Sequence, residues 1–166
     1  MSRQAIRLLP NRNFVQQFLE LGPHELVRRR GSACWTRRAA VIVVDGSAAI
    51  ALSLGLVDER VYVTDELGAP HLIDCEVLNG LRNQIRSRGL PEKQATAALA
   101  VFGALEIERF AVDWLRARMW DLRNNLTAYD AAYVALTEAV DADHLLTADA
   151  KIANAPGVNC SITLIS

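Results

Sequence analysis

From residue 41 onward the apolar positions of this chain alternate between short unbroken runs and longer stretches with helical spacing. VIVV at 41–44 is a β-branched run without polar interruption, the pattern of a strand buried on both faces of a parallel sheet. SAAIALSLG then reads as a helix with Ser47 as N-cap and Gly55 as stop. VYVTDELGAPHLID holds β-type residues, but Gly68 and Pro70 break it, so it predicts a short connection ending in a buried turn over 70–73. Asp74 is placed to cap CEVLNGLRNQIRSRG, where Val77, Leu78, Leu81 and Ile85 recur at helical spacing and Gly89 ends the element. Pro91 opens the Ala-rich helix EKQATAALAVFGALEI, a short extended ERFAV follows, and DWLRARMWDLRNN fits another helix. In LTAYDAAYVALTEAV, Thr127 and Asp130 have the T-x-x-D arrangement of a capping box. HLLTA is a short buried strand, ADAKIAN a short helix and SITLIS a last strand. Strands alternating with helices predict an α/β domain of three layers, a central mostly parallel sheet with helices on both faces.

Composition narrows this picture. A chain of 166 residues, 51% hydrophobic and 22% charged, suits one folded catalytic domain and a tail, and excludes wholesale disorder. No apolar run approaches the roughly 18 residues that span a bilayer, and the first residues lack a signal-peptide core, so no membrane role and a cytoplasmic location are expected. Cys34, Cys75 and Cys160 are odd in number and lack CxxC spacing, which points away from disulfides and zinc; Cys75 is expected in the core. Charge is unevenly spread: residues 1–40 hold eight arginines against Glu20 and Glu25, a net +6 within a chain whose total is −1. This segment is therefore expected to be a flexible basic extension, with Phe14, Phe18 and Leu21 as its one apolar stripe; it reads either as an arm that touches nucleic acid or an acidic surface or as a solvated tail with no partner. The catalytic domain is expected to span 41–166.

Four acids stand at the ends of the apolar runs: Asp45 after VIVV, Glu76 and Asp130 in first helical turns, and Asp149 after HLLTA. In open α/β sheets, sites form outside the carboxyl ends of the strands, where these residues converge. Taken singly, each acid is explained by a cap or a helix dipole. Together they form a nest of oxygen ligands for a hard divalent cation, Mg²⁺ or Mn²⁺, the chemistry that cleaves phosphodiester bonds. Ser47, Thr127 and Thr147 lie close in sequence to these acids and can orient a carboxylate, while Arg123 and Asn124, shortly before Thr127, are candidates for phosphate contact. Trp114 and Trp120 can stack on bases but more readily serve packing. His24, His71 and His144 are scattered, and no Gly-rich phosphate loop is present.

The spellings VIVVDGSAAI, HLIDCEVLNGLRNQIRSRG, WDLRNNLTAYDAAYVALTEAVDADHLLTAD and the closing ITLIS resemble PIN-domain proteins, and within them the VapC-type toxins of bacterial toxin–antitoxin pairs. The likeness covers 41–166 and is most specific in YDAAYVALTEA followed by LLTAD. It implies a Mg²⁺- or Mn²⁺-dependent endoribonuclease acting on RNA, a homodimer, and a cognate antitoxin that inhibits it. On it, Asp45, Glu76, Asp130 and Asp149 match the metal-binding acids and Ser47 the hydroxyl residue after the first of them. Three features depart from the pattern: Gly46 stands where alanine is common, the span 56–70 is short, and residues 1–40 have no counterpart. A different reading of the acidic edge is a non-catalytic module that binds RNA or receives an arginine from a regulatory protein.

Overall fold

The computed structural model describes residues 41–57 and 66–165; the basic arm, with its expected stripe at Phe14, Phe18 and Leu21, lies outside them. Five strands form one parallel sheet in the order β3-β2-β1-β4-β5, with β1 at Val41–Val44, β2 at Glu66–Pro70, β3 at Ile107–Phe110, β4 at His144–Thr147 and β5 at Ile162–Leu164. Among the described residues six α-helices accompany them: α1 (Gly46–Ser53), α2 (Ile73–Arg88), α3 (Glu92–Ala104), α4 (Arg116–Asp121, entered through a 3₁₀ turn at Asp113–Leu115), α5 (Ala128–Ala139) and α6 (Ala150–Ala153). This is the α/β architecture that the alternating pattern predicts.

Strand β1 is central because it is the most apolar: Ile42, Val43 and Val44 are at most 1% exposed, as are Leu145 and Leu146 beside them on β4. Helix α5 packs directly on β1, β2 and β4. Every residue from Ala131 to Thr137 is buried, so the helix carries no polar face there. Helices α1, α2 and α3 pack on one another. Arg118 on α4 joins the C-terminal segment to this frame, donating to both Glu138 carboxylate oxygens at 2.6 and 2.9 Å and to the Gly157 carbonyl at 2.6 Å.

Four local expectations are corrected. The segment over 66–70 is a strand rather than a broken connection: Pro70 sits at its last position, where a missing N–H costs little, and the next amide, of His71, resumes pairing with the Phe110 carbonyl at 2.9 Å. Gly68 is needed for close approach, since a Cβ there would lie 3.2 Å from the Phe110 ring. Asp45, not Ser47, caps α1, accepting from the Ala48 amide at 2.8 Å. Asp74 does not cap α2, which starts at Ile73 without a side-chain cap; it pairs with Arg109 of β3 at 3.0 Å, and that bond holds its carboxyl below the ordinary range. Cys75 is exposed, two residues from both Ile73 and Val77 and so on the opposite side of the helix from that buried pair.

Candidate active site

The strand order fixes where a site can form. The chain leaves β1 toward β2 and leaves β4 toward β5, so the connections from these two adjacent strands depart in opposite directions and open a crevice at their carboxyl ends. Asp45 follows β1 and Asp149 follows β4, one on each side of this switch point.

Asp45 is only 5% exposed and is held from three directions. Its Oδ1 accepts from the Ser47 hydroxyl at 2.7 Å and the Ala48 amide at 2.8 Å, and its Oδ2 accepts from the Thr147 hydroxyl. Burial outweighs these donors and pushes the carboxyl above its ordinary range. Thr147 in turn accepts the Asp149 amide at 2.9 Å, and Ser47 accepts the Ala148 amide at 2.8 Å, so the ends of β1 and β4 are stitched by two hydroxyls. Asp149 itself caps α6, taking the Lys151 amide at 2.8 Å.

Glu76, in the first turn of α2, is partly buried, and its Oε2 accepts from the Tyr133 hydroxyl of α5. Its carboxyl is also raised, first by burial and further by the negative charges of Asp45 and Asp130. That coupling brings three of the four acids into one electrostatic unit. Asp130 forms the expected capping pair: Thr127 Oγ1 accepts the Asp130 amide at 3.2 Å and donates to Asp130 Oδ2 at 2.7 Å.

The auxiliary residues divide. Ser47, Thr127 and Thr147 each donate to one of the acids. Arg123 instead turns back, donating to the Trp120 carbonyl at 2.8 Å with its guanidinium 4.9 Å from the Trp120 ring centre. Asn124 is exposed in the turn before Thr127. Two residues at the site escaped the sequence reading. Tyr133 stands three positions after Asp130 and so on nearly the same helix side, the one signal that would have flagged it. Gly46, noted above only as a departure from the family pattern, is a point of close approach: a Cβ there would lie 2.9 Å from Glu76 Cβ.

The donor set suits a hard cation, being oxygen throughout, with carboxylates whose mutual repulsion an ion would relieve. Among the described residues no three acidic, cysteine or histidine side chains gather into a compact cage.

These features define a parallel α/β domain with hydroxyl-held carboxylates collected at its switch point. The chain belongs to the PIN-domain family, whose sequence profile matches residues 42–158. It is 39% identical over 126 residues to VapC ribonuclease Mb0985 of Mycobacterium bovis, covering 75% of this chain and 98% of that protein. It is 41% identical over 135 residues to Ribonuclease VapC1 of Mycobacterium tuberculosis, covering 80% and 97% respectively. The fold is also similar to the crystal structure of PAE2754 from Pyrobaculum aerophilum, with a TM-score of 0.54 at 24% identity over 74% of this chain and 92% of that one. A further likeness is to Mycobacterium tuberculosis VapC20, a Sarcin-Ricin loop cleaving toxin, with a TM-score of 0.50 at 18% identity over 68% and 92%.

Proposed function

We propose that this protein is a metal-dependent endoribonuclease and the toxin of a toxin–antitoxin pair. The observation that carries the reading is the geometry at the sheet's switch point, where Ser47 and Thr147 hold Asp45 between β1 and β4 and Glu76 packs beside Gly46 at the start of α1. The names of relatives that share its whole domain length support it. Asp45, Glu76 and Asp130 would hold the ion, with Asp149 at the same edge serving a second ion or an ordered water. A divalent ion bound there supplies the Lewis acidity that phosphodiester hydrolysis requires. The chain's own contribution is to fix the carboxylates: Ser47 and Thr147 orient Asp45, Thr127 orients Asp130, and α5 carries Asp130 just before its buried run from Ala131 to Thr137. In the reaction a water oxygen bonds to phosphorus, the P–O bond to one ribose oxygen breaks, and that oxygen takes up a proton.

Single-stranded RNA incubated with protein stripped of divalent ions should stay intact and be cut when Mn²⁺ or Mg²⁺ is restored. Cleavage undiminished in excess chelator, or none with either ion, would overturn the reading; the second result favours the non-catalytic binding module.

The cognate antitoxin and the homodimer belong to the same proposal. Leu78, Leu99 and Val101 are 53%, 38% and 40% exposed on α2 and α3, apolar surface of the kind a second copy would cover. On the opposite side of α3, Ala95, Ala98 and Phe102 are buried. No helix among the described residues is long and apolar enough to cross a membrane.

Residues 1–40 are proposed to lie outside the catalytic fold, a boundary supported by a first strand at Val41 and a family match from residue 42. A chain beginning at Ala40 should fold and cut RNA at the same sites, with weaker binding only at low salt. Unfolding of that chain, or loss of all cleavage, would make the arm integral.

A further inference from the structure

Each of the three coupled carboxylates has one oxygen claimed by a hydroxyl from this chain. For Asp45 it is Oδ2, taken by Thr147; for Asp130 it is Oδ2, taken by Thr127; for Glu76 it is Oε2, taken by Tyr133. Asp45 is restricted further, because its Oδ1 already receives two donors, Ser47 and Ala48, and a carboxylate oxygen has two lone pairs to offer. Glu76 and Asp130 each depend on a single residue for this restriction, and of the two only Tyr133 is buried. Among the described residues no donor reaches Glu76 Oε1, so the Tyr133 hydroxyl alone decides which oxygen is left over.

Tyr133 is well built for that task. It is 1% exposed on the buried face of α5, and its hydroxyl donates to Glu76 Oε2. Gly46 blocks the other escape. Glu76 lies so close to it that even a Cβ there would come within 2.9 Å of Glu76 Cβ and 3.1 Å of Oε2. The carboxylate is thus pressed against the start of α1 on one side and tied to α5 on the other.

We infer that Tyr133 is a positioning residue that holds Glu76 to one free carboxylate oxygen, and that this constraint biases the site toward Mg²⁺ and Mn²⁺ over Ca²⁺. The inference rests on the nuclease reading above. Its chemical basis is the difference between the ions: Mg²⁺ demands near-ideal octahedral geometry and takes carboxylates sparingly, whereas Ca²⁺ accepts more ligands and readily takes a carboxylate by both oxygens. Tyr133→Phe removes the hydroxyl at nearly constant volume, frees Oε2, and lets Glu76 offer both oxygens.

The test is the affinity of the metal-stripped full-length chain for Mn²⁺ and for Ca²⁺ separately, by calorimetry or by the spin-resonance signal of free Mn²⁺. The wild type should prefer Mn²⁺, and in Tyr133→Phe that preference should shrink by about tenfold or more, the scale of losing a group that orients a metal ligand. A ratio within twofold of wild type in Tyr133→Phe would overturn the inference. If the wild type binds neither ion, the nuclease reading falls and the inference with it; if it binds Mn²⁺ but Tyr133→Phe leaves the ratio unchanged, only the inference falls.

Discussion

Asp45→Asn is expected to lower RNA cleavage by about a thousandfold, the scale of removing a principal electrostatic contributor, without weakening the domain itself. The two halves of this expectation have one cause. Asp45 is buried beyond what its three donors offset, so ionising it is harder in the folded chain than in the unfolded one. Without a cation its charge therefore opposes folding at neutral pH, and an uncharged amide removes that opposition. Asparagine keeps an oxygen for Ser47 and Ala48 but sets an N–H₂ group against Thr147, which offsets part of the gain. The melting temperature of the variant in chelator at pH 7 should equal or exceed that of the parent. Cleavage within tenfold of wild type would remove Asp45 from the site, and a melting temperature lower by more than about 5 °C would make its role structural; 5 °C is on the order of 1 kcal/mol for a domain of this size.

Removing divalent ions should make stability fall as pH rises. Asp45 and Glu76 both have folded pKa values above their ordinary 3.8 and 4.5, and Glu108, half-buried and near the charge of Glu66, shifts the same way. Their folded state is unpenalised below the unfolded pKa and loses stability as pH climbs through the raised values. Asp74 has the opposite sign, its pKa lowered by Arg109, but it is largely exposed and water screens the pair, so it offsets little. A divalent ion reverses the trend, because it binds the ionised acids and competes with protons. At a hundredfold excess over its Kd it should add about 2.7 kcal/mol, which corresponds to roughly 10 °C. Thermal melts from pH 5 to 8, in chelator and in Mn²⁺, should diverge as pH rises. Curves that stay parallel would show that the ion does not bind these carboxylates.

What the sequence made legible follows from what a local pattern can carry. Periodicity found β1, α5, β4 and the position of every acid, because burial of both faces leaves an unbroken apolar run and a cap leaves its own spacing. It failed at β2, since Gly68 and Pro70 break a strand only in isolation; the neighbouring Phe110 ring and a terminal position make them acceptable here. It failed for Ser47 because Asp45 and Ser47 are both cap residues, and only the exit angle of β1 decides between them. Tyr133 was missed for the same kind of reason. Its partner Glu76 is 57 residues away, and one sequence read alone gives no distance between them.

The bond from Thr147 to Asp45 spans 102 residues, and Ser47 reaches Ala148 over 101. Contacts this distant in sequence are slow to close and form only after most of the chain is in place. During synthesis, therefore, β1 and its aspartate leave the ribosome long before the strand that completes their edge. A nascent or prematurely terminated chain lacking β4 carries Asp45, Glu76 and Asp130 without the hydroxyl and backbone stitches that fix them. The order of elements thus delays assembly of the acidic edge until translation is nearly finished.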